Sequence, residues 1–60
     1  MKYFVEFDSM ETDYFEMWID ALDIEKCKNK AIYIIKNYGG GRIEIFDKEC
    51  GNHILELNTE

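Results

Sequence analysis

Proline is absent from this 60-residue chain, and basic residues are scarce: seven against thirteen acids, for a formal net charge of −6. One histidine and two cysteines make up a short supply of catalytic and metal-ligating side chains. The deficit of bases argues against direct nucleic-acid binding, which normally uses a basic face to release phosphate counterions. It equally disfavours an anionic membrane surface. Long apolar runs are missing too. The longest, Ala31 to Ile35, has five residues, far short of the ~20 that span a bilayer. The first residues alternate polar and apolar and include acids, so neither the basic nor the apolar stretch of a secretory signal is seen. Cys27 and Cys50 lie 23 positions apart in no paired motif. With no secretory signal seen, they read as reduced thiols in a cytoplasmic protein.

What is present is 47% hydrophobic, 15% aromatic and 33% charged residues. This is the composition of a packed globular chain, since disordered segments are poor in aromatic and β-branched residues. The length predicts a single domain over residues 1–60. A chain of this size buries only about 60% of its unfolded surface, which leaves little structure for a deep, water-excluding cleft. Charge is unevenly spread. Met1 to Glu25 carries −7, Lys26 to Lys48 carries +4, and the tail from Glu49 carries −3. A solvated helix face accounts for the basic segment most simply.

Period-two alternation over Lys2 to Asp8 predicts a strand with Tyr3, Val5 and Phe7 on one face. The polar run Ser9 to Asp13 interrupts it, and a second strand is expected over about Tyr14 to Ala21, closing a hairpin. Ile24, Cys27, Ala31, Ile34, Ile35 and Tyr38 then recur with helical spacing. Asp23 suits the N-cap and Gly39 the left-handed position after the last turn. Strands over Arg42 to Asp47 and His53 to Asn58, joined by a turn over Lys48 to Asn52, complete a β-β-α-β-β order.

One helix on a four-stranded sheet is the economical two-layer α+β architecture. With the first and last strands parallel in the centre, it is the β-grasp arrangement, the order favoured here; a sheet ordered 1-2-3-4 is the competitor. In length, element order and acidity the layout resembles the small immunoglobulin-binding domains of streptococcal surface proteins. It shares no motif residue with them and lacks their threonine-rich second strand, so that resemblance carries over no binding residue.

The helix covers one face, which Tyr3, Val5, Phe7, Phe15, Met17, Ile19, Ile43, Ile45, Leu55 and Leu57 already fill. The other face should be polar. Alternation instead places Phe4, Tyr14, Trp18, Phe46 and Ile54 there, interleaved with Glu6, Glu16, Asp20, Glu44 and Glu56. Aromatics rimmed by charge have the composition of a binding hot spot. This face is expected to bind a second copy of the chain as a homodimer, or to dock on another protein. The bland alternative is cross-strand aromatic pairing worth roughly 0.2–1 kcal/mol per pair. A further possibility is a nucleic-acid mimic of the kind that phages use as inhibitors, with Glu6, Glu11, Asp13, Glu16 and Asp20 presenting phosphate-like charge to a basic groove.

Catalysis is not expected. His53 has only Cys50 as a nearby nucleophile in sequence, and the strand register points His53 toward the helix-covered side. Cys50-x-x-His53 supplies two metal ligands where sites need three or four, so no metal and no cofactor is assigned. The acidic loop Asp8 to Asp13 lacks calcium-loop spacing. Gly39-Gly40-Gly41 follows a helix, whereas phosphate cradles precede one.

Overall fold

The computed structural model of the chain describes residues 1–47 and 51–59. Strand β1 spans Lys2–Ser9, β2 Phe15–Asp20, helix α1 Ile24–Lys36, β3 Gly41–Asp47 and β4 His53–Thr59. The helix packs on one face of a single four-stranded sheet, an α+β fold in two layers. Tyr3, Val5, Phe7, Ile19, Ile43 and Ile45 are buried beneath it, with Phe15, Met17, Leu55 and Leu57 partly covered around them. From the helix come Cys27, Ala31 and Ile35. Full burial of a side chain such as Phe7, Ile35 or Ile43 contributes about 1.5–3 kcal/mol. Burial also pushes the Cys27 thiol pKa up, as suits an inert packed thiol.

Asp23 caps the helix as expected, its carboxylate accepting the Lys26 amide at 2.9 Å. The other end closes earlier than the apolar spacing implies. Asn37 is the C-cap, because the Asn37, Tyr38 and Gly39 amides bond back three residues, to Ile34, Ile35 and Lys36. That tighter turn uses up the last carbonyls before Tyr38 can join the helix. Gly39 still makes the left-handed reversal, at φ +85°.

Strand order departs from both arrangements expected. The sheet runs β2-β1-β3-β4, with every neighbouring pair antiparallel. The central partner of β1 is therefore β3, not a parallel β4 as in the β-grasp order. Two features account for this. Gly41 opens β3 against the end of β1, where a Cβ would fall 2.2 Å from the Asp8 carbonyl oxygen; only glycine lets the two backbones come so close. Ile43 and Ile45 are also fully buried, whereas Leu55 and Leu57 stay half-buried, so the deeper pair occupies the inner strand. The helix thus connects β2 to β3 across β1. The β1–β2 loop straps onto its end, through Met10 N–H to the Gly40 carbonyl (2.9 Å) and Glu11 N–H to the Tyr38 carbonyl (3.1 Å).

Of the turn expected over 48–52, Lys48, Glu49 and Cys50 lie outside the described residues. Gly51 N–H donates to the Asp47 carbonyl at 2.9 Å, and Asp47 N–H to that of Asn52 at 2.8 Å. Among the described residues no helix is long and apolar enough to cross a membrane.

The two glycines make a controlled pair for testing the Asp8 contact. Gly41→Ala is expected to cost about 3 kcal/mol in urea denaturation, from overpacking and backbone strain. Gly51→Ala has φ +69° but open space around its Cβ, and should cost only about 1 kcal/mol. Equal losses would show that the Asp8 approach does not hold the β1–β3 pairing.

Candidate functional site

Register sorts the open-face side chains into rows that cross the whole sheet. Trp18 stands opposite Phe4, Phe4 opposite Phe46, and Phe46 opposite His53. Their rings touch in sequence. Phe4 meets Trp18 at 5.0 Å between centroids and Phe46 at 6.3 Å, and Phe46 meets His53 edge-on at 5.3 Å. Two positions along β1, β2 and β3, and three along β4, lies a second row, Glu16, Glu6, Glu44 and Glu56, each facing the next. Beyond it Asp8 faces Arg42, and Arg42 faces Asn58.

Phe4, Trp18 and Phe46 therefore form one continuous stripe, with Trp18 54% exposed and the two phenylalanines half-buried. Ile54 sits beside its far end and is exposed. Tyr14, just before β2, stands at the glutamate row, where its hydroxyl donates to Glu16. Of the acids expected to mimic phosphate, Glu6 and Glu16 share that row, while Asp20 pairs with the N-terminal amino group at 3.2 Å. Glu11 and Asp13 lie in the β1–β2 loop, Glu11 over Gly39. The five acids do not form one row.

His53 corrects the sequence reading. A register shift between Ile45 and Phe46 sets two β4 residues, His53 and Ile54, against one on β3, so His53 joins Phe46 on the open face. Simple alternation could not reveal it, since one inserted residue reverses every side chain beyond it. Arg42 was also missed. Its guanidinium binds Glu44 and Glu56, each at 3.0 Å. Those bonds, Glu44's first, hold its pKa above the ordinary arginine value. Glu44, His53 and Glu56 bring their ligand atoms within 4.8 Å of one another.

Four carboxylates in register repel one another, and like charges directly opposite destabilise a sheet. Arg42 braces one end of the row and the Tyr14 hydroxyl the other. Between them opens a cleft of about 190 Å³, lined by Glu6, Phe7, Asp8, Tyr14, Arg42 and Glu44. The arrangement can seat a cationic side chain beside an aromatic stripe. Compared with family models, curated proteins and solved structures, the chain matches none.

Two predictions follow from the row itself. Glu6 faces a glutamate on either side, so Glu6→Gln is expected to stabilise the fold by about 0.5 kcal/mol in denaturant titration. A loss of stability would mean the row is not a source of repulsion. Tyr14 titrates above its ordinary range, first because its hydroxyl bonds to Glu16. A raised pKa means the neutral phenol favours the fold, so its contribution is complete below pH 10 and is lost as pH rises through the folded value. In an ultraviolet titration Glu16→Gln should bring one tyrosine back toward the ordinary range.

Proposed function

We propose that this chain is a small non-enzymatic interaction module that docks on another protein through its open sheet face. The observation that carries the reading is the aromatic row lying alongside the glutamate row. A complementary surface must be apolar along one line and basic along the next, with a lysine or arginine to enter the cleft between Tyr14 and Arg42. Trp18 is the anchor, because an exposed tryptophan at the end of a packed aromatic row gains most from desolvation.

Self-association fits the same face less well. Two copies set aromatic row on aromatic row would also enclose both glutamate rows, with Arg42 of each copy already engaged. Buried carboxylates without counter-charge cost several kcal/mol apiece. A basic partner removes that cost. What supports a reducing, cytoplasmic setting is Cys27, a free thiol on the buried face of the helix. A second reading, nucleic-acid mimicry, draws on the four aligned glutamates alone and makes the target a nucleic-acid-binding protein.

Light scattering at low and high salt, followed by capture from a cell lysate, tests the proposal. A monomer is expected, and it should retain a protein with a basic surface. Trp18→Ala should weaken that complex by about 2 kcal/mol, roughly thirtyfold, with little loss of stability. A salt-insensitive dimer would replace docking by self-association. Capture that survives Trp18→Ala but is released by moderate salt or by competing DNA would favour mimicry.

A further inference from the structure

The β-bulge on β4 sets a histidine, whose chemistry the docking reading does not use, beside two members of the glutamate row. Glu44 and Glu56 face each other across β3 and β4, and the bulge sets His53 on the same face, one row along. One oxygen from each carboxylate and one ring nitrogen fall within 4.8 Å of one another. Ligands about 2.0–2.1 Å from a single tetrahedral ion stand roughly 3.4 Å apart, so small rotamer changes close the set. Imidazole with two carboxylates is a donor set for a first-row divalent ion.

The neighbours of the set are placed as ligand supports usually are. Arg42 approaches from the side away from His53, taking Oε1 of Glu44 and Oε2 of Glu56. Each carboxylate keeps its second oxygen, and the guanidinium offsets the repulsion that would drive the pair apart. Outer hydrogen bonds of this kind orient ligating carboxylates and raise affinity. On the opposite side the His53 ring is held edge-on by Phe46 at 5.3 Å. Both carboxylates and the imidazole are therefore held close to one another, one rotamer adjustment from ligating separation, before any ion arrives.

We propose that Glu44, His53 and Glu56 form a surface site for a divalent transition-metal ion, typified by Zn²⁺, with Arg42 as its positioning residue. Three protein ligands leave one position open to water or to a partner's side chain, which marks an exchangeable site rather than a structural one. Mg²⁺, which demands near-octahedral oxygen coordination, should bind far more weakly. The inference stands on the bulge and does not depend on the docking reading.

The test is titration of the ¹⁵N-labelled full chain with Zn²⁺ and, separately, Mg²⁺, followed by nuclear magnetic resonance and calorimetry. Zn²⁺ should shift the His53 ring signals and the amides of Glu44 and Glu56 at one-to-one stoichiometry. His53→Ala and Glu44→Gln should each lower affinity at least about tenfold, and Arg42→Gln about tenfold through loss of positioning. Circular dichroism without metal confirms that each variant folds. Trp18→Ala, which bears on docking, should leave Zn²⁺ binding unchanged. Cys50→Ser should leave it unchanged as well. Loss of binding in Cys50→Ser, undiminished binding in His53→Ala, or Zn²⁺ binding no tighter than Mg²⁺ would each overturn the assignment.

Discussion

Among the described residues, one helix of thirteen residues covers a four-stranded sheet, and the rest of the molecule follows from that limit. A single helix shields one face. The burial that holds the fold must therefore come from the inward-facing half of each strand, and Tyr3, Val5, Phe7, Ile19, Ile43 and Ile45 supply it. The other half of each strand is left in water whatever its composition. The aromatics there do not compete for the core, and the pairing that buries Val5 against Ile45 equally aligns Phe4 with Phe46. Core and candidate site are the two sides of one register.

That coupling explains why so much was legible in sequence and where legibility ended. Alternation depends only on neighbours two apart, so the faces of Phe4, Trp18 and Phe46 could be assigned without knowing which strands pair. Helix capping by Asp23 is local in the same way. Strand order is not local. It depends on Gly41 lying against Asp8, a close approach between residues far apart in sequence, and nothing in either stretch announces the other. The bulge at His53 and Ile54 is a subtler case. It changes no residue type and no hydrophobic count, yet it moves the one histidine from the helix side to the open side.

The open face also shows two kinds of row responding differently to the same geometry. Cross-strand neighbours stand about 4.5–5.5 Å apart, a spacing at which rings attract and carboxylates repel. The aromatic row stabilises itself. The glutamate row needs Arg42 and the Tyr14 hydroxyl at its ends, and Glu6 in its interior faces a carboxylate on each side. Natural proteins commonly retain such locally unfavourable arrangements where a surface is used. The same row gives both the docking surface and the metal-ligand set their negative charge.

The place of β1 in the sheet bears on how the chain reaches this state during synthesis. β1 is made before the other three strands, yet it lies between β2 and β3. The β1–β2 hairpin can form early, but an isolated two-stranded hairpin is at best marginally stable in water. Its apolar face finds a cover only when the helix is complete, and its second edge closes only when β3 has followed. β1, β2, the helix and β3 must therefore all be made before the hairpin is secure. Loop closure precedes reward for the β1–β3 pairing, so a strand edge stays open until β3 is in place. The acids concentrated in the first twenty-five residues give that stretch, hairpin included, a net charge of −7, and like-charged chains resist pairing with one another.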